Sequence, residues 1–137
     1  MTPTARPRPR TAERLSALAI SVLVPAALRL LPLRRTLELC DRTATPWSPP
    51  ATPHALADRV QRWLDHGRGP WQSSCLTRSV VLYAMLRRHA YRPRLHVGVR
   101  GHAASFVAHA WITIGGEVVG ELADGPASYR ELFVHGG

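Results

Sequence analysis

The sequence of 137 residues has no lysine, only two cysteines and only nine acidic residues. All 18 cationic side chains are therefore arginines, and the formal net charge is +9. Cys40 and Cys75 are too few for a disulfide framework, and their spacing fits no zinc motif. Two cysteines without a clear export signal predict a reducing, cytoplasmic location. An apolar content of 45% predicts a globular protein rather than a disordered chain.

Long hydrophobic runs and nucleic-acid motifs are also lacking. The uncharged apolar run of residues 16–28 is shorter than the ~20 residues needed to cross a bilayer, so stable membrane insertion is not expected. A signal peptide is the alternative, because arginine precedes this run, but no clean cleavage site follows it. The arginines are scattered without interleaved aromatic residues, which argues against nucleic-acid binding.

The first half of the chain is predicted to be helical. Residues 1–10 alternate proline and arginine and are expected to form a disordered basic arm. Residues 11–66 are expected to form a helical subdomain, in which Pro25 and Pro32 kink or divide the region from 11 to 40. A proline-rich linker over 41–50 follows.

The last helix of this subdomain has a clear start signal. Thr52 is a good N-cap residue and Pro53 suits the first helical position, so a helix is predicted from there to about residue 66. Gly67 is the expected stop signal. The remainder, residues 67–137, is interpreted as the core that carries the chemistry, and the apolar face of the helical subdomain is expected to pack on it or on a partner.

A buried helix beginning at a cysteine is predicted over residues 71–88. Ser73 and Ser74 are good N-cap residues, and Cys75 follows them in the first turn. The next residues are apolar on nearly all sides, which indicates burial. Free backbone N–H groups and the positive end of the helix dipole both favour a thiolate at this position. The alternative interpretation is a small buried core cysteine.

The pattern then changes to strands. Residues 94–100 and 105–114 alternate in strand fashion, Gly115-Gly116 marks a turn, and 117–122 returns. Residues 129–134 form a possible further short element. Helices followed by an antiparallel sheet predict an α+β fold rather than alternating βαβ units.

His109 and Glu121 are the residues that would complete a thiol-based site with Cys75. A thiolate nucleophile needs a base and a group that orients the base. A two-residue Gly115-Gly116 loop leaves His109 and Glu121 on opposite faces, whereas a three-residue loop with Gly116 in a bulge sets their Cβ atoms about 5 Å apart. The catalytic interpretation therefore predicts the bulged turn. Asp124 is the fallback orienting acid, and a hydrogen-bonded core His109 is the structural alternative.

Three segments together resemble a known family. They are CLTRSVVLYAMLRR (75–88), YRPRLHVGVR (91–100) and FVAHAWITIGGEVVGE (106–121). They are similar to the transglutaminase-like cysteine proteases of lasso-peptide biosynthesis, which remove the leader from a ribosomally made precursor. The resemblance covers roughly residues 71–121. It implies a papain/transglutaminase-like core, in which a central cysteine-bearing helix packs on a small antiparallel sheet.

The family motif maps onto Cys75, His109 and Glu121, which the resemblance implies are a catalytic triad. Two positions depart from the family pattern. Thr77 stands where proline is frequent, which affects only the start of the helix. Glu121 stands where aspartate is common, which lengthens the orienting arm by one methylene.

Further expectations follow from the resemblance. The backbone N–H of Cys75 and the side chain of Gln72 are candidates for the oxyanion donors, and an ordinary loop glutamine is the alternative for Gln72. Trp111 is a candidate shield for the Cys–His pair, and a core tryptophan is the alternative. No metal or organic cofactor is implied, and neither His96 nor His102 has an argued role.

The sequence has no obvious room for a separate leader-binding domain, so binding of the leader is expected to fall to a partner protein. The resemblance implies a precursor peptide, a small companion protein that acts as the peptide-recognition element, and an ATP-dependent lasso cyclase that acts next. Three alternatives stay open at this point: another transglutaminase-fold acyl-transfer enzyme, a non-enzymatic basic peptide-binding module, and a small membrane-anchored protein.

Overall fold

The computed structural model describes residues 10–43, 52–65, 75–89, 91–101, 105–120 and 128–137. Within these ranges the chain forms helices first and strands second. The helices are α1 (Arg10–Leu30), α2 (Leu33–Thr43), α3 (Pro53–Asp65) and α4 (Cys75–Arg88). The strands are β1 (Arg94–Arg100), β2 (Val107–Ile114), β3 (Glu117–Val119) and β4 (Arg130–Gly136).

The strands form one antiparallel sheet in the order β3-β2-β1-β4. Leu95 of β1 lies opposite Ile112 of β2, and both side chains are buried. The possible element predicted at the end of the chain is strand β4, which pairs with β1 and shifts register between Val97 and Gly98. The predicted α+β layout is therefore confirmed.

Helix α4 is the element on which the others pack. It contacts α1, α2, α3, β1 and β2. Tyr83 and Leu86 are almost completely buried, as expected from a helix that is apolar on nearly all sides. The sheet therefore covers one side of α4, and the N-terminal helices cover the others.

The N-terminal helices confirm two local predictions. The chain divides at Pro32, which lies between α1 and α2, while α1 continues through Pro25. Thr52 caps α3, since its side-chain oxygen accepts a hydrogen bond from the backbone N–H of Ala55 at 3.3 Å. Pro53 is the first residue of that helix, where a missing N–H costs nothing.

One hydrophobic core joins these helices to the sheet. Ile20 of α1, Leu37 of α2 and Leu56 of α3 are buried in the same cluster as Ile112 of β2. The predicted boundary between residues 66 and 67 stays a prediction, because both sides of it lie outside the described residues. No helix in the described ranges is both long and apolar enough to cross a bilayer.

Asp41 links α2 to α4 and β4 through three polar side chains. The Tyr83 hydroxyl donates a hydrogen bond to Asp41 Oδ1 at 2.7 Å, and His135 Nε2 lies 2.9 Å from Asp41 Oδ2. The Arg87 guanidinium lies 3.0 Å from the same carboxylate. Burial and the hydrogen bond to Asp41 raise the pKa of Tyr83 above its ordinary range.

Replacing Asp41 with alanine is expected to lower the free energy of unfolding by about 2–3 kcal/mol, because the buried Tyr83 hydroxyl loses its acceptor and His135 loses its partner. The half-exposed pair with Arg87 contributes little of this. Urea denaturation measures the change, and Asp58→Ala, at an exposed position of α3, is the matched control. Equal effects of the two substitutions would refute the linking role.

Candidate active site

Cys75 is the first residue of α4, as the sequence predicted. Its side chain is half-buried, so a reagent or substrate can reach it. The first N–H groups of a helix have no intrahelical acceptor, and together with the dipole they stabilise negative charge at this end. The predicted capping residues Ser73 and Ser74 lie outside the described residues.

His109 lies in the first half of β2, directly opposite Gly98 of β1. Its side chain is half-buried, and its ring stacks on the ring of Tyr129 with centroids 5.5 Å apart and planes 22° apart. Ala108, which is exposed, and Ala110, which is buried, flank it in sequence. Sequence reasoning missed Tyr129, because this residue meets His109 only through the pairing of β4 with β1.

Cys75 and His109 line one cavity of about 250 Å³. Helix α3 contributes Ala57, Val60 and Gln61 to its wall. Helix α4, β2 and the end of β3 contribute the rest. The tertiary structure therefore brings together the two residues that the sequence nominated as nucleophile and base, in a space open to a small part of a substrate.

The turn between β2 and β3 is not the bulged turn that the catalytic interpretation predicted. Ile112 pairs with Val119 and Ile114 with Glu117, so the loop is the two-residue Gly115-Gly116 turn. Both glycines have positive φ, 60° and 85°, which is typical of a type I′ hairpin turn. The predicted three-residue bulged turn is therefore wrong. The physical reason is burial: this register turns Val119 into the core beside Ile112.

The described pairing of β2 with β3 ends before either candidate orienting acid. The described ladder ends at Val119, and Gly120 follows with φ 87°, so the chain does not simply continue as an extended strand. Glu121, Asp124 and Gln72 lie outside the described residues, so their predicted roles stay predictions. Gln61, which sequence reasoning did not single out, lines the cavity from α3.

Trp111 lines the same cavity and is only 6% exposed. Its ring stacks on His96 with centroids 5.3 Å apart and planes 3° apart. Its indole N–H has no hydrogen-bond partner among the described residues. Trp111 is thus both a packed tryptophan and part of the cavity wall, and its role as a shield stays a prediction.

His96, for which the sequence suggested no role, is held between two polar side chains. One ring nitrogen, Nδ1, bonds to the Glu131 carboxylate, and Nε2 lies 2.7 Å from the Thr113 hydroxyl. With Nδ1 donating to the carboxylate, Nε2 accepts from the hydroxyl. Both nitrogens are engaged, so His96 has no free nitrogen with which to act on a substrate.

A second, larger depression of about 790 Å³ opens beside His96. Trp111, Tyr129 and Glu131 line it together with Arg92 and Arg94. Neither Cys75 nor His109 lines it, so the two candidate catalytic residues belong to the smaller cavity. Within the described ranges, no three His, Cys, Asp or Glu side chains are grouped as a metal site.

The two cysteines are expected to differ in reactivity. Burial and the neighbouring Asp41 charge raise the pKa of Cys40 to about 11. At neutral pH this reduces its thiolate about a hundredfold relative to an unshifted thiol, because each pKa unit is a factor of ten. Iodoacetamide at pH 7.5 is therefore expected to alkylate Cys75 first, as peptide mapping by mass spectrometry would show.

The Cys75→Ala variant is the control for this labelling. It is expected to take up the reagent only slowly, at Cys40. Alkylation of Cys40 ahead of Cys75 in the intact protein would contradict the assignment of Cys75 as the reactive thiol.

A half-buried thiol at a helix N-terminus, sharing a cavity with a histidine on the adjacent sheet, defines a candidate cysteine-dependent site for acyl chemistry. The sequence model of the transglutaminase-like superfamily matches residues 6–134, and the chain belongs to that superfamily. Members are typically cysteine-dependent peptidases or acyltransferases. The expected transglutaminase-like fold is thereby confirmed. No curated protein and no solved structure matched the chain.

Proposed function

We propose that this protein is a cysteine peptidase that removes the leader from a lasso-peptide precursor. The observation that carries the proposal is the shared cavity of Cys75 and His109. Membership of the transglutaminase-like superfamily supports cysteine-dependent chemistry at this cavity. The motif resemblance over residues 71–121 supports the leader-removing specificity.

The proposed reaction is acyl transfer to water through a thioester. His109 takes the thiol proton, and the Cys75 thiolate attacks the scissile carbonyl of the precursor. His109 then protonates the departing amine as the carbon–nitrogen bond breaks, which leaves an acyl-enzyme. Water, deprotonated by His109, attacks the thioester, releases the new carboxylate and restores the thiol.

Other groups assist these steps in the proposal. The backbone N–H of Cys75 stabilises the oxyanion, and Gln72 supplies the second donor. Glu121 holds the imidazole in its working tautomer and stabilises the imidazolium, with Asp124 as the fallback acid. Trp111 shields the Cys–His pair from bulk water. No metal or organic cofactor takes part in this reaction.

The proposed partners are the precursor peptide, a small companion protein that binds the leader, and the ATP-dependent cyclase that uses the product. The corner between α1 and α2 is a suitable docking surface for the companion. Leu23 and Leu30 are 64% and 82% exposed there, and Arg29, Arg34 and Arg35 are exposed beside them. A net charge of +9 would also attract an acidic leader. We place this complex in the cytoplasm.

Mass spectrometry of the precursor encoded beside the gene tests the proposal. The precursor is incubated with the protein and the companion, with the protein alone, and with the companion alone. Cleavage at one site that requires the protein supports the peptidase function. No cleavage in the complete mixture would refute it. In a separate pull-down with this protein as bait, loss of the companion would refute the proposed docking surface.

The same measurement separates the alternative functions. Transfer of the acyl group to an amine gives a product whose mass includes that amine, whereas hydrolysis adds one water. A non-enzymatic basic module would bind the precursor equally well after Cys75→Ala and leave its mass unchanged. These outcomes assign the protein to another transglutaminase-fold activity or to a binding role.

A further inference from the structure

We infer that Tyr129 is a positioning residue that holds the imidazole of His109 in its working orientation. The inference rests on the proposed role of His109 as the base for Cys75. It begins from the contact of the two rings, whose centroids are 5.5 Å apart with planes 22° apart. This distance and tilt lie within the range of attractive aromatic pairs. An imidazole with a ring packed on one face has fewer accessible rotations than one in open solvent.

Gly98 is the reason that Tyr129 can reach His109. Tyr129 immediately precedes β4, whereas His109 is on β2, and β1 lies between them. At the position opposite His109, β1 carries Gly98, which has no side chain to fill the gap. A Cβ built on Gly98 would come within 3.0 Å of both Tyr129 Cβ and Trp111 Cη2. The space above Gly98 is therefore occupied by Tyr129 and Trp111.

Tyr129 is itself held from other sides. The Trp111 ring lies 5.6 Å from it at 39°, and the Arg100 guanidinium lies 5.4 Å from its centroid. Trp111 is in turn stacked on His96, whose two nitrogens are engaged by Glu131 and Thr113. The stack thus connects the base to a well-packed part of the sheet, and a residue fixed in this way can orient another.

The contact also supplies a means of orientation that does not depend on Glu121. The predicted direct pairing of His109 with Glu121 depended on a bulged turn, and the described hairpin has a two-residue turn instead. Stacking fixes the plane of the imidazole ring, while a carboxylate partner fixes its tautomer. Tyr129 and an orienting acid therefore have different and compatible tasks.

Three variants test the inference: Tyr129→Phe, Tyr129→Leu and Gly98→Ala. Because the ring and not the hydroxyl makes the contact, Tyr129→Phe is expected to keep kcat within about twofold of wild type. Tyr129→Leu is expected to lower kcat for precursor cleavage roughly tenfold with KM unchanged, the size of a lost aromatic pair. Gly98→Ala, whose Cβ would press on Tyr129, Trp111 and the Arg130 carbonyl oxygen, is expected to lower kcat as well.

A second readout needs no peptide substrate. With His109 in its proposed role as the base for Cys75, the rate of Cys75 alkylation by iodoacetamide at neutral pH is expected to fall in Tyr129→Leu and recover in Tyr129→Phe. If wild-type protein cleaves no precursor but this pattern holds, the proposed peptidase function fails and the positioning role stands. If both alkylation and cleavage are unchanged in Tyr129→Leu, the positioning role is refuted.

Tyr91→Leu is the matched control, because Tyr91 is another partly buried tyrosine that packs against the core. Thermal unfolding of all variants is compared with their kcat. An equal loss of kcat in Tyr91→Leu would assign the effect to general destabilisation and refute the inference. A loss of kcat in Tyr129→Phe as large as that in Tyr129→Leu would refute it as well, because the hydroxyl would then be the essential group.

Discussion

Replacing Cys75 with alanine is expected to reduce the rate of precursor cleavage by about a thousandfold or more. The physical reason is that alanine has no atom that can attack the carbonyl, so the acyl-enzyme cannot form. Mass spectrometry of the precursor after timed incubation with companion and variant measures the rate. The free energy of unfolding is expected to change little, since Cys75 is half-buried at the start of α4.

Cys40→Ala is the matched control for this substitution. Cys40 packs against the hydrophobic core from α2 and does not line the cavity of Cys75. Its replacement is expected to preserve kcat, even where it lowers stability. Cleavage at the wild-type rate by Cys75→Ala would exclude Cys75 as the nucleophile. Equal losses in both cysteine variants would show that the assay reports folding and not chemistry.

Replacing His109 with glutamine is expected to lower the cleavage rate about a hundredfold to ten-thousandfold. Glutamine preserves polarity and approximate size but cannot accept the thiol proton and return it to the leaving amine. The alkylation rate of Cys75 at neutral pH is expected to fall in parallel, because the thiol loses its proton acceptor and less of it is present as thiolate. Precursor mass spectrometry and thiol labelling measure the two effects on the same preparation.

His54→Gln, at an exposed position of α3, controls for the loss of a histidine as such. It is expected to leave both rates unchanged. If His109→Gln kept the wild-type alkylation rate while cleavage was lost, His109 would act on the substrate and not on the thiol. If both rates were unchanged, His109 would be a core histidine, and the cavity would need another base.

Local signals in the sequence predicted much of the fold. The alternating pattern of 94–100 identified β1 with its observed bounds, and the apolar pattern after Cys75 identified the buried helix α4 and its start. Thr52 and Pro53 identified the start of α3 through capping chemistry. These predictions succeed because capping and periodicity depend on residues within one or two turns of the chain.

Two features of the site could not be obtained in this way. The Gly115-Gly116 pair is compatible with either a two-residue turn or a bulged turn, since both glycines adopt positive φ freely. The choice between them depends on which valine of β3 enters the core, and Val119 does. The contact of Tyr129 with His109 depends on pairing between strands that are distant in sequence.

The sequence by itself determined which residues are the candidates for nucleophile and base, because a thiol at a helix start and a histidine in a strand are visible in local pattern and match the motif of the family that the chain resembles. The tertiary structure decided that these residues share a cavity, that α3 forms part of its wall, and that Tyr129 packs on His109. The physical reason is burial: hydrophobic side chains from distant segments select one register and one packing arrangement, and no short stretch of sequence contains that choice.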